Sequence, residues 1–133
     1  MARIRTLLVD DASDFRALLR LTLEESGFRV VDEAENGVEA VELARRHQPE
    51  LVLLDVSMPV RDGMEALPLI RSVSPASCVV MLSSVEADRL EDEAAELGAA
   101  AYLEKGIEPH DLVRELRAAL ASERCAATPS PAA

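Results

Sequence analysis

Five runs of aliphatic and β-branched residues punctuate the chain: Ile4 to Val9, Phe28 to Asp32, Leu51 to Leu54, Cys78 to Leu82 and Ala100 to Leu103. They lack polar alternation, the pattern of strands covered on both faces. Each run precedes a stretch with helical spacing, and regular strand-helix alternation predicts a parallel sheet flanked by helices.

The helical stretches carry their own punctuation. In the first, Phe15, Leu18, Leu19 and Thr22 share one face, and Gly27 stands where a left-handed cap ends the helix. Asn36, Gly37 and Glu39 resemble a capping arrangement for the second, whose Val38, Val41 and Ala44 are expected to face the sheet. The third, about Asp62 to Val73, contains Pro68, which removes a backbone donor, so a kink or a late start is expected. The fourth is expected near Glu86 to Leu97, ending at Gly98, with its acidic residues as a solvated face. The last starts at Pro109, and Leu112, Val113, Leu116, Ala119 and Leu120 repeat at helical spacing.

Five such units predict a flavodoxin-like, doubly wound α/β fold: a five-stranded parallel sheet of order 2-1-3-4-5 with five helices. Residues 1–123 then form one domain, and the Ala, Pro and Ser composition of 124–133 predicts a flexible tail. Ligands of such sheets bind outside the carboxyl ends of the strands.

Composition narrows the function. The chain of 133 residues carries 25 Asp and Glu against 14 Lys and Arg, a formal net charge of -11, which disfavours direct contact with nucleic acid or anionic membrane. The first apolar run is too short for a signal-peptide core or a membrane span, so a soluble cytoplasmic protein is expected. Cys78 and Cys125 have no partner at metal-ligand or redox-motif spacing; Cys78 reads as a small buried hydrophobe and Cys125 as an inert tail thiol. His47 and His110, without partners at ligand spacing, read as surface residues.

The strand ends carry the chemistry. Asp10 and Asp11 follow the first strand, Asp55 the third, Ser83 and Ser84 the fourth and Lys105 the fifth. Adjacent acids alone are often only a solvated loop or a helix cap. In the order 2-1-3-4-5, however, the first and third strands are neighbours, so the three carboxylates converge. Carboxylates held close need a cation, and hard oxygen ligands suit Mg²⁺. An Asp carboxylate can act as the nucleophile toward phosphorus while an ammonium and a hydroxyl hold the other oxygens, roles that Asp55, Lys105 and Ser83 fill.

Four blocks, in order, are Leu8-Val9-Asp10-Asp11, Leu54-Asp55-Val56-Ser57-Met58-Pro59 with Asp62-Gly63, Met81-Leu82-Ser83-Ser84, and Tyr102-Leu103-Glu104-Lys105. Together they resemble the receiver domain of two-component response regulators. The resemblance implies that Asp55 is the phosphoacceptor. It implies that Asp11 and Asp55 hold Mg²⁺ through side chains, Asp10 through water or directly, and Ser57 through its backbone carbonyl. It gives Ser83 the phosphoryl hydrogen bond, Ser84 a small-residue access position, and Tyr102 the role of switching aromatic. A histidine kinase or phosphotransfer protein is the implied donor, and a downstream protein the implied reader of a changed surface on the fourth helix, fifth strand and fifth helix. Homodimerisation on phosphorylation is left open. The protein is then a phosphoacceptor switch that assists its own phosphorylation and dephosphorylation, rather than an enzyme acting on external substrates.

One departure stands out. The family commonly has Pro, with a cis bond, after the active-site Lys, whereas Gly106 follows Lys105 here. Two other readings remain: a receiver-like docking module that takes no phosphate, and an Asp-nucleophile phosphatase, which would want a second Asp where Ser57 stands. No output segment follows the fifth helix, so a single-domain regulator is expected.

Overall fold

The computed structural model describes residues 2–84, 88–122 and 125. Its elements are β1 (Ile4–Val9), α1 (Ser13–Glu24), β2 (Phe28–Ala34), α2 (Gly37–His47), β3 (Leu51–Asp55), α3 (Gly63–Val73), β4 (Cys78–Ser83), α4 (Asp88–Glu96), β5 (Ala101–Glu104) and α5 (Pro109–Ala121). All pairings are parallel, in the order β2-β1-β3-β4-β5, as expected. Glu86, the expected start of the fourth helix, lies outside the described residues, as does most of 124–133. No helix among the described residues is long and apolar enough to cross a membrane.

The sheet's two faces bury two separate cores, because successive side chains of a strand point to opposite sides. Leu7, Val9, Val52, Leu54, Val79 and Met81 meet α2, α3 and α4 through Ala40, Ala44, Ala66, Leu67, Ile70 and Ala94. The intervening residues, Leu8, Leu51, Leu53, Val80 and Leu82, meet α1 and α5 through Leu19, Leu23, Leu112, Leu116 and Ala119. Both layers are aliphatic, and Phe28 is the one fully buried aromatic ring among the described residues.

Helix ends follow the caps read from sequence, with some corrections. Asn36 accepts from the Glu39 amide at 2.9 Å, and Glu39 Oε1 accepts from the Glu35 amide at 3.0 Å. Asp62 and Glu65 form a reciprocal capping box on α3, which starts at Gly63 and continues through Pro68. The expected late start is therefore absent, because the capping box fixes the first turn ahead of the proline. Leu18 and Val38, expected to face inward, are 56% and 51% exposed, because Leu19 with Leu23 and Ala40 with Ala44 supply the buried contacts. His47 is not a bare surface residue: its Nε2 lies 2.9 Å from Asp32 Oδ2, brought there by β2 packing beside the end of α2.

The cysteines are a larger correction. Cys78 and Cys125 are joined in a disulfide across 47 positions, with a Cα–Cα separation of 5.2 Å. Local motif spacing cannot show such a pair. The end of α5 returns to the edge of the sheet where β4 begins, and proximity comes from that topology.

Of the two non-glycine residues at positive φ among the described residues, Gln48 and Val60, only Val60 is β-branched. It sits at φ 73° and is 80% exposed, and a β-branched side chain at positive φ is strained. Val60→Gly is expected to raise stability by about 1 kcal/mol, the relieved strain exceeding glycine's added unfolded-state entropy. Urea unfolding checks this, and a lower midpoint would show that the valine is not strained.

Candidate functional site

Strand pairing puts the acids side by side. Val9 pairs with Leu54 in the β1–β3 ladder, so the next residues, Asp10 and Asp55, stand level at the carboxyl edge. Asp10 shares the side-chain parity of Leu8, and Asp55 that of Leu53, so both belong to the α1/α5 side of the sheet. Asp10 is 1% and Asp55 2% exposed, whereas Asp11 is exposed. One carboxylate oxygen from each of Asp10, Asp11 and Asp55 lies within 4.8 Å of the other two.

Lys105 closes the cluster. Its amide donates to the Ser83 carbonyl at 2.9 Å, continuing the β4–β5 ladder beyond Glu104. Its Nζ lies 2.6 Å from Asp10 Oδ2 and 3.1 Å from Asp55 Oδ1, and 5.0 Å from the centre of the Phe15 ring. The concern attached to Gly106 does not displace the lysine: no cis peptide bond occurs among the described residues, and the ammonium still reaches both acids.

The second acidic oxygen of Asp55 is differently placed. Oδ1 accepts from the Ser57 amide at 3.3 Å as well as meeting Lys105, but Oδ2 is buried without a hydrogen-bond partner among the described residues. A buried, unpartnered carboxylate oxygen is costly unless a cation or an incoming electrophile occupies the space before it. That oxygen and the all-oxygen donor set fit a hard divalent cation held by Asp10, Asp11 and Asp55.

Several supports escaped the sequence reading. Gly63 packs so closely that a Cβ there would sit 2.0 Å from the Asp55 carbonyl oxygen, and its amide donates to the Val56 carbonyl at 2.8 Å. Only glycine lets the first turn of α3 lie against the end of β3. Arg16 donates through Nη1 to the Asp10 carbonyl at 2.5 Å and through Nε to Glu33 at 2.7 Å, and Glu33 also accepts from Arg20 at 2.8 Å. Phe15 over Lys105 is a further such contact. No local motif announces these partners, because each comes from a different element.

The remaining expected residues divide between the two faces. Ser83 is buried, and its parity with Val79 and Met81 puts it on the α2–α3–α4 side, as does the pairing of Tyr102 with Met81. Ser84 and Ser57 are exposed. The Tyr102 hydroxyl is buried, without a hydrogen-bond partner among the described residues.

Charge crowding shapes the acids' titration. Burial, reinforced by the Asp10 charge, pushes the Asp55 carboxyl above the ordinary aspartate range, even though Lys105 and the Ser57 amide pull the other way. For Lys105, burial opposes the charge, but hydrogen bonds and charges from Asp10 and Asp55 outweigh it and raise its pKa.

Comparison with known proteins identifies the family and the fold. Residues 6–117 match the response regulator receiver domain. The chain is 43% identical over 101 residues to the chemotaxis protein CheY of Halobacterium salinarum, spanning 76% of this chain and 83% of that protein. It is 38% identical over 101 residues to CheY of Bacillus subtilis, spanning 76% and 84%. Among solved structures, the signal receiver domain of NarL from Mycobacterium tuberculosis superposes with a TM-score of 0.85 at 30% identity, covering 92% of this chain and all of that one.

Two outcomes follow from the charges and the unpartnered hydroxyl. A carboxyl whose folded pKa is raised binds its proton more tightly folded than unfolded. The metal-free protein therefore loses stability as pH climbs from the unfolded aspartate value through the folded one. Asp55→Asn is expected to remove that loss and raise neutral-pH stability, without divalent metal, by on the order of 1 kcal/mol. Thermal melts with chelator across pH 3 to 8 (roughly the span of carboxylate titration) check it, and an Asn variant that melts lower at neutral pH contradicts it. Tyr102→Phe, which deletes an unsatisfied buried hydroxyl, is expected to hold or gain up to about 1 kcal/mol by denaturant titration; a clear loss would reveal a partner.

Proposed function

The chain belongs to the response regulator receiver domain family, phosphoacceptor switches of two-component signalling, and we propose that Asp55 is the residue that takes the phosphoryl group. The observation that carries this reading is the Asp55 carboxylate itself, with one oxygen held by Lys105 and the Ser57 amide and the other buried without a hydrogen-bond partner within an acidic cluster.

In this reading the donor is a phosphohistidine on a kinase or phosphotransfer protein. The uncommitted oxygen of Asp55 attacks phosphorus, the P–N bond breaks, and the imidazole nitrogen leaves with the bonding pair. Asp10, Asp11, Asp55 and the Ser57 carbonyl would hold Mg²⁺, which when bound offsets the negative charge of the transferring group. Lys105 turns part of its charge from Asp55 toward the phosphoryl oxygens, and Ser83 donates its hydroxyl from the neighbouring strand end. Exposed Ser84 leaves that end of β4 accessible. The same pocket, entered by water, assists loss of the phosphoryl group. The family's setting supports a cytoplasmic location.

The added charge, about -1.5 to -2 for a phosphorylated side chain and borrowed here for an acyl phosphate, biases an equilibrium between two arrangements of Ser83, Tyr102 and the surface of α4, β5 and α5. A downstream protein reads that surface. With its hydroxyl already enclosed, Tyr102 answers phosphorylation by changing what it packs against and donates to, rather than by entering from solvent. The docking-only alternative loses its main argument, since Gly106 leaves Lys105 within reach of both acids.

Incubation with Mg²⁺ and acetyl phosphate, read by intact mass spectrometry, is expected to add one phosphate to the wild type and none to Asp55→Asn. Chelator should abolish the addition, and Lys105→Ala should slow it at least tenfold, a loss of about 1.4 kcal/mol or more in the barrier. An unlabelled wild type would sink the proposal in favour of a docking module, and sustained turnover of phosphoesters would favour a phosphatase.

A further inference from the structure

β4 has chemistry at both ends. Ser83 ends it at the acidic cluster, and Cys78 begins it at the opposite edge of the sheet, five positions and on the order of 17 Å away. Cys78 is 3% exposed, its amide donates to the Glu50 carbonyl at 2.9 Å, and its side chain lies in the layer formed with α1 and α5. Cys125 packs half-buried against that layer after the chain turns at Ser122, whose hydroxyl donates to the Ala119 carbonyl at 2.7 Å. The Cα–Cα separation of 5.2 Å is one that a disulfide spans without backbone movement.

The stretch enclosed by this bond is the second observation. Between Cys78 and Cys125 lie Ser83, α4, Tyr102, Lys105 and all of α5. The α5 helix begins beside Lys105 and ends at the bond, and its Arg117 donates to the Ser26 carbonyl at 2.6 Å and lies 5.2 Å from the Phe28 ring. One covalent link thus closes a loop around the stretch that carries Lys105, the hydroxyls of Ser83 and Tyr102, and α5.

We propose that Cys78 and Cys125 are a thiol–disulfide modification site, closed by low-molecular-weight disulfides and reopened by thiols, that pins the end of α5 to the start of β4. The more accessible sulfur belongs to Cys125. As a thiolate it attacks the small disulfide, expels one thiolate and forms a mixed disulfide; the Cys78 sulfur then attacks the Cys125 sulfur and expels the second. The cysteines lose two electrons and two protons, and the small disulfide leaves as two thiols. Cys78, 3% exposed, meets the neighbouring sulfur rather than small disulfides in solvent, and it gives up its proton to the departing thiolate or to water as it attacks. In a reducing compartment the pair is open, and an oxidising shift closes it. The inference does not rest on the phosphoacceptor reading, since the acidic cluster lies at the other end of β4.

The test uses the full chain equilibrated in glutathione buffers of graded oxidised-to-reduced ratio, then alkylated and weighed. Oxidising buffers are expected to yield a monomer lighter by two hydrogens with no alkylated cysteine. Closing so long a loop restricts the unfolded chain, so that form should melt roughly 10 °C above the reduced one. Cys125→Ser, which spares the buried layer, should melt with the reduced wild type at every ratio. Thiols that stay alkylatable in the most oxidising buffer, products linked only between chains, or a closed bond that leaves the melting temperature unchanged would each overturn the proposal. Acetyl phosphate labelling is scored separately in both redox forms; its absence from both counts against the phosphoacceptor reading alone.

Discussion

Two buried carboxylates sharing one ammonium set the terms for everything else in this domain. At separations of 4 to 5 Å and an effective dielectric near 20, like unit charges repel by roughly 3 to 4 kcal/mol. Parallel pairing of β1 with β3 leaves Asp10 and Asp55 no way to diverge, since their strands are locked in register by fully buried leucines and valines. Lys105 offsets part of the cost, from 2.6 and 3.1 Å. What remains is a standing demand for positive charge, expressed in an aspartate that holds its proton above the ordinary range.

The sheet also divides the labour. Asp10, Asp55 and the ring over Lys105 belong with α1 and α5, whereas Ser83 and Tyr102 take the parity of the other face. An event at the carboxylates has a route to α4 by way of β4 and β5, whose ends are joined by the Lys105 amide and the Ser83 carbonyl. The unpartnered phenol of Tyr102 is the polar group left unsettled on that route.

Much of this was readable in the residues, and the exceptions have physical reasons. Strand starts were right within a residue because buried parallel strands are uninterrupted apolar runs. The end of β1 was right as well, and the other four ran one or two residues further, since Glu33, Asp55, Ser83 and Glu104 pair as strand despite being polar. Periodicity put Leu18 and Val38 on buried faces because it cannot tell which of two adjacent apolar residues a small neighbour such as Ala40 leaves outside. The blocks bearing Asp10, Asp55, Ser83 and Lys105 were legible because each ends a strand. Phe15 over Lys105 and the link between Cys78 and Cys125 were not, since they depend on elements remote in the chain, and Arg16 was not, since no local motif marks a side chain that caps the Asp10 carbonyl.

The contact between Gly63 and the Asp55 carbonyl makes the aim of that carboxylate a property of main chain against main chain. The Lys105 ammonium and the Ser57 amide then hold one of its oxygens. Exposed side chains such as Val38 and Val60 are not among the groups that hold it, so exchanges there leave the reactive oxygen its bearing. Fidelity of chemistry and freedom of association are, in this fold, separately encoded.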